Sequence, residues 1–214
     1  MVLANAAGRA EDTFRYDSPS WNGLKVGATY TMQTDFGQST DTPFSVGAEY
    51  KNGPFLVFAD YITNDNGGDD DAYKVGGKYT FGNYSLYGQY EVDGGLISNL
   101  SGNQGIKVGG TKANNGDGAD VWELGGTAQF GNNTLVAAYG QGDKTTGNGL
   151  SSFDNGYETF EIVGIHSMSK RTLVYLAYVN RSFDGKEVVT NSGGSYLRNI
   201  SDLDQVSLGM KHKF

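Results

Sequence analysis

The chain of 214 residues has no cysteine, only three prolines and only two histidines. Without cysteine there are no disulfides, no thiolate metal sites and no thiol nucleophile, although this absence discriminates little between compartments. The prolines, Pro19, Pro43 and Pro54, fall near the ends of candidate strands, where a missing N–H costs least. No stretch approaches the ~18 consecutive apolar residues of a membrane helix, and none sustains a helical period. Basic residues form no stripe and the net charge is −8, which argues against nucleic acid as a partner. No phosphate loop or dinucleotide fingerprint occurs. Residues 1–7 lack a basic region and are too short for a signal peptide, so we expect either a removed signal or a chain that begins inside a longer protein.

Glycine and tyrosine are abundant instead. There are 33 glycines and 14 tyrosines, and aromatics make up 13% of the chain, against a usual glycine share of about 7%. This composition implies all-β structure with many turns and an aromatic surface. Mean hydropathy is −0.44, but that average is blind to a strand whose apolar and polar residues alternate. Period two predicts eleven strands, near 12–19, 23–32, 43–51, 54–63, 71–81, 83–92, 119–130, 133–141, 156–168, 171–181 and 203–214. Most are close to the ~9–11 residues that a tilted strand needs to cross hydrocarbon.

The connections alternate strictly between short and long. Short turns surround Trp21-Asn22-Gly23, Lys51-Asn52-Gly53, Phe81-Gly82-Asn83, Gly131-Asn132-Asn133 and Ser169-Lys170. Long polar connections run near 33–42, 64–71, 93–119, 141–155 and 181–202, and the acidic residues crowd there. A sheet with one trimmed rim and one elaborated rim is the plan of a transmembrane β-barrel.

The faces agree with that plan. Leu24, Val26, Ala28 and Tyr30 oppose Lys25, Gly27, Thr29 and Thr31, and Tyr73, Val75, Gly77 and Tyr79 oppose Lys74, Gly76 and Lys78. A soluble sandwich buries such an apolar face, whereas a membrane barrel turns it to lipid. Aromatics at strand ends suit interfacial girdles, and mid-strand lysines suit a watered lumen better than a packed core. Both faces are apolar at 55–62 and 173–179, which is compatible with a protein contact or a plugged stretch of wall.

Three motifs resemble the general porins of Gram-negative outer membranes. Arg15-Tyr16-Asp17-Ser18-Pro19 with Gly23-Leu24 resembles the strand after the inward-folded constriction loop. Ser169-Lys170-Arg171-Thr172 with Tyr175 resembles the penultimate periplasmic turn, and Gly209 to Phe214 resembles the closing strand. The resemblance implies a sixteen-stranded, homotrimeric, antiparallel up-and-down β-barrel, of which residues 1–214 supply about eleven strands, the C-terminal two-thirds. Residues 1–11 would be the return of the constriction loop. An odd count cannot close an antiparallel barrel, and an open edge in lipid leaves unpaired N–H and C=O groups. The chain therefore reads as a fragment, a shortened product or a piece that needs a complement.

The resemblance also implies a function and its residues. It implies passive diffusion of ions and small hydrophilic solutes through a water-filled channel, with outer-membrane lipid, lipopolysaccharide and the barrel assembly machinery as partners. Arg15 would belong to the basic wall of the constriction. By parity Lys25, Lys74 and Lys78 also line the lumen, with Lys211 and Lys213 near the periplasmic end, and Glu91, Glu123 and Glu161 sit on the same face as counter-charges. Val206, Leu208, Met210, His212 and Phe214 would form the assembly signal. A structural reading stays open for each; Arg15, for example, could simply pair with Asp17.

Other chemistry finds little support. The Asp/Asn/Gly run at 64–71 lacks the register and terminal Glu of a calcium loop. His166 and His212 stand in no nucleophile motif or metal-ligand spacing. No catalytic residue, metal or cofactor is expected. The alternative to a channel is a non-channel surface barrel, adhesin-like or structural, that binds partners through its long loops. An outer-membrane hydrolase and a soluble sandwich are weaker alternatives.

Overall fold

The computed structural model describes residues 13–32, 44–63, 71–93, 116–117, 120–143, 146–147, 156–183, 186–191, 194–199 and 201–213. In chain order the strands are β1 (Thr13–Asp17), β2 (Leu24–Thr31), β3 (Phe44–Asn52), β4 (Phe55–Thr63), β5 (Asp71–Phe81), β6 (Tyr84–Asp93), β7 (Gly116–Asp117), β8 (Val121–Phe130), β9 (Asn133–Gly142), β10 (Thr146–Gly147), β11 (Tyr157–Ser167), β12 (Thr172–Phe183), β13 (Lys186–Asn191), β14 (Gly194–Asn199) and β15 (Leu203–His212). Eleven of them form one sheet in the order β1-β2-β3-β4-β5-β6-β8-β9-β11-β12-β15. Each pairs antiparallel with the next, as neighbours along an up-and-down chain must. The first and eleventh strands consequently run the same way, and each is an edge of the described sheet.

The trimmed rim is built by turn chemistry. Asn22 and Gly23 both have positive φ, 50° and 93°, and Trp21 and Leu24 exchange backbone hydrogen bonds of 2.8 and 3.0 Å across them. That is the Asn-Gly type I′ hairpin. Asn52 pairs with Phe55, Phe81 with Tyr84 and Phe130 with Asn133, so each loop is two residues long. Gly53, Gly82 and Gly131 lead these loops with φ of 54°, 57° and 58°, the signature of type II′. The fifth turn lacks glycine. Ser169 Oγ accepts bonds from the Arg171 and Thr172 amides at 3.2 and 3.0 Å and takes over the turn's donors.

Two features of the elaborated rim were not expected from alternation. β7 and β10, from two different long connections, pair with each other, and β13 and β14 form a hairpin inside the last one. Residues 1–11, the proposed return of the constriction loop, and Phe214 lie outside the described residues.

The usual relation of inside to outside is inverted. Leu124 is 60% exposed and Leu208 81%, whereas Glu91 is 5% and Glu123 6% exposed. Every buried strand residue among those described, including Ala72, Ser85, Ala138, Tyr157 and Thr159, lies on the polar face of the sheet. Water does not tolerate so continuous an apolar exterior on a monomer. Lipid does, provided that the backbone is satisfied within the sheet. The outer aromatics mark two heights. Near the trimmed rim Phe55, Tyr79, Phe81, Tyr84 and Phe130 run in ring contact, with centroids 4.6 to 6.3 Å apart. Near the other rim Tyr90 donates to Asp120 at 2.5 Å, Tyr178 to Asp204 at 2.7 Å and Tyr61 to Asp71 at 3.4 Å. Amphipathic rings with a satisfied hydroxyl suit a membrane–water boundary.

Glycines on the inner face make room for rings of the neighbouring strand. Phe58 lies over Gly76, Tyr87 over Gly125, Tyr157 over Gly142 and Tyr175 over Gly209. This accounts for Phe58 and Tyr175 among the apolar inner positions at 55–62 and 173–179, where each ring packs on bare backbone of the next strand. A Cβ at Gly76 would stand 2.6 Å from Phe58 Cζ and 2.8 Å from the Gly88 carbonyl oxygen, whereas one at Gly164 meets nothing within 4 Å. We therefore expect Gly76→Ala to destabilise the barrel by about 1–3 kcal/mol through overpacking, and Gly164→Ala to be neutral. Denaturant unfolding in detergent, followed by circular dichroism, measures both; equal midpoints would refute the packing account.

Candidate functional site

Strand alternation sends one residue in two toward the inner face, and register decides which of them meet. There the strands β1 to β6 border a trough of about 620 Å³. One row across it reads Asp17, Gly27, Gly47, Asp60, Lys74 and Glu91, each paired in register with the next. The adjoining row begins Lys25, Glu49 and Phe58. Ser45 and Thr29 face each other with hydroxyl oxygens 2.5 Å apart. The trough is thus a floor of glycine and small hydroxyls ringed by charges of both signs.

Of the basic residues singled out from the sequence, Arg15, Lys25, Lys74 and Lys78 lie on this part of the wall, and Lys211 lies on β15 in register with Leu173. Arg15 borders the trough, and its Nε and Nη2 donate to Asp17 Oδ2 and Oδ1 at 2.7 and 2.8 Å. An exposed pair like this adds little to stability. Its main effect is to cancel the arginine's charge locally. Lys74 also borders the trough, with Nζ 2.6 Å from Glu91 Oε2. That oxygen is sealed from solvent and lacks a hydrogen-bond partner, so charge rather than an aligned hydrogen bond holds the pair. Lys25 lines the trough opposite Glu49. Lys78 shares the face but sits between Leu56 and Tyr87 in register, nearer the trimmed rim and outside the trough lining.

Glu49 and Asp60 were missed by the sequence reading. Both carry the inner-face parity of strands that the alternation identifies, so the signal was present. Their importance depends on register, which parity alone does not supply. Farther round the wall, the Arg181 guanidinium lies 4.8 Å above the Tyr157 ring.

The Arg-Tyr-Asp-Ser-Pro motif has a mechanical explanation. Tyr16 faces outward, while Arg15 and Asp17 pair on the inner face. Ser18, buried at the turn, accepts the Val26 amide at 2.9 Å on its hydroxyl oxygen and donates to the Pro19 carbonyl at 2.8 Å. At the other end, Val206, Leu208 and Met210 share the outer face of β15 with His212, and all four are exposed. His212 Nδ1 lies 2.9 Å from Thr172 Oγ1, and His166 Nδ1 lies 2.8 Å from Asn133 Oδ1. Among the described residues no three His, Cys, Asp or Glu side chains gather to hold a metal ion.

The sequence profile described as Gram-negative porin matches residues 2–186. The chain belongs to that family. No curated protein matches it significantly. Solved porins share the fold at low identity. The anion-selective porin of Comamonas acidovorans superposes with a TM-score of 0.67 at 18% identity, covering 96% of this chain and 60% of the other. OmpF of Salmonella typhi, in complex with daunomycin, gives 0.63 at 15% identity, covering 94% and 61%. The trimer form of OmpT from Vibrio cholerae gives 0.63 at 15% identity, covering 95% and 64%. The chain therefore spans less than two thirds of the solved porins that it matches. This porin is an outer-membrane antiparallel β-sheet protein, as the resemblance implied.

The Lys74–Glu91 pair yields a test of the site's architecture. Lys74→Met leaves a buried carboxylate without its counter-charge and is expected to cost about 1–3 kcal/mol. The double variant Lys74→Met/Glu91→Leu should recover most of that loss. A double-mutant cycle on unfolding free energy checks this, and additive losses would show that the pair is not coupled.

Proposed function

We propose that this porin forms the wall of a water-filled channel for passive diffusion of ions and small hydrophilic solutes across the outer membrane. The observation that carries the reading is the inversion of faces: apolar side chains uncovered outside, and charged side chains with a solvent-sized trough inside. A barrel of this kind surrounds water rather than a core. Because the two edges of the described sheet run the same way, the wall closes with an odd number of further antiparallel strands. The reading assigns no catalytic step and no cofactor.

The setting follows from the same reading. Outer-membrane lipid, and lipopolysaccharide on the side of the long connections, would cover the outer aromatic bands. The homotrimeric state is supported by the trimer form of OmpT among the similar structures. Val206, Leu208, Met210, His212 and Phe214 would present the closing strand to the barrel assembly machinery. Arg15, Lys25, Lys74 and Lys78 would line the passage.

The decisive measurement is conductance of the purified full-length protein in planar bilayers. We expect discrete ion-conducting steps and uptake of small sugars into liposomes, without saturation. A correctly inserted protein with no conductance, whose long connections instead bind a partner, would replace the channel with the adhesin-like reading.

A further inference from the structure

We infer that the trough bordered by β1 to β6 biases the passage toward cations over anions, and that Asp60 is the residue that most decides it. The inference deepens the channel reading and rests on it. The lysines and arginine on the inner face suggest a preference for anions, but the geometry removes most of that bias. Within the trough Arg15 is bound by Asp17 through two hydrogen bonds, and Lys74 is held against Glu91. Each pair is neutral at the distance of a passing ion. Lys25 stands opposite Glu49 on the neighbouring strand. The trough lining thus holds three cations, Arg15, Lys25 and Lys74, against four carboxylates, Asp17, Glu49, Asp60 and Glu91, and the one cation in register with Asp60, Lys74, is held by Glu91.

The position of Asp60 adds to its influence. Its register neighbour on β5 is Lys74, whose ammonium is already engaged by Glu91. Its neighbour on β3 is Gly47, and a Cβ built there would collide with the Asp60 carboxylate. Gly47 and Gly27 lie side by side in the same row, so the carboxylate rests over bare backbone. Asp60 is exposed there. A charge beside a water-filled passage with low-dielectric walls raises the local concentration of counter-ions and sets their preference. Outside the trough the inner face also carries Arg181 on β12 and Lys211 on β15, so the preference rests on the charges of the trough itself. Lys51 and Lys78 lie toward the trimmed rim, outside the trough lining, and Glu123 and Glu161 share the inner face of β8 and β11.

The test is the reversal potential of the full-length protein in planar bilayers under a potassium chloride gradient. The parent should give a potassium-to-chloride permeability ratio above one. Asp60→Asn should lower it by about twofold or more. Gly47→Ala, which displaces the carboxylate without removing its charge, should shift it in the same direction. Lys25→Gln should raise it, and this variant carries the test if the substitutions at Asp60 and Gly47 prevent insertion. A parent ratio below one overturns the inference and leaves the channel intact. So does an Asp60→Asn ratio equal to the parent's, or a Lys25→Gln ratio that fails to rise. Correct insertion with no conductance overturns the channel reading and the inference together.

Discussion

The backbone hydrogen-bond ladder is the constraint on which everything else in this porin depends. In hydrocarbon no solvent satisfies a free N–H or C=O, so each strand must pair on both sides. Antiparallel pairing of sequential strands achieves this with the shortest connections. Once the ladder is fixed, the two-residue period decides which side chains face lipid and which face water, and a one-residue slip would exchange them all. The glycines at Asn22-Gly23, Gly53, Gly82 and Gly131 matter for this reason. Their positive φ values hold each hairpin in register, and register assembles the row from Asp17 to Glu91.

The inner wall shows how polar groups coexist with a packed surface. A curved sheet crowds the side chains on its inner face. Glycine relieves that crowding, and the neighbouring strand's ring fills the space, as at Gly76 and Phe58 or Gly209 and Tyr175. Where a carboxylate takes the ring's place, as Asp60 does over Gly47, the same device leaves a charge facing the trough. Small residues therefore both permit tight packing and create openings, depending on which side chain the adjacent strand supplies.

Much of this was legible in the sequence. The eleven strands of the main sheet, the trimmed rim and the outward face all follow from alternation and turn residues, because lipid-facing and water-facing positions differ in chemistry. What was not legible depends on pairing between strands. Arg15 and Asp17 lie two apart on one strand, so their pairing could be anticipated, but Lys74 with Glu91 and Asp60 with Gly47 require register across hairpins. The contact of β7 with β10 and the hairpin of β13 with β14 lie in polar segments whose composition has no period, so alternation gave no warning. The apolar inner positions at Phe58 and Tyr175 looked like a contact surface until the glycines beside them were located.

The tyrosine–carboxylate bonds of the elaborated rim have a consequence for how the protein varies over time. Tyr61 with Asp71, Tyr90 with Asp120 and Tyr178 with Asp204 each join the two strands that a long connection leaves and re-enters. The stem of each connection is fastened at the membrane boundary before the intervening residues begin. Those residues are free to lengthen, shorten or change charge with little strain on the wall below. Exchange of one such connection for another would leave the paired strands beneath in the same register.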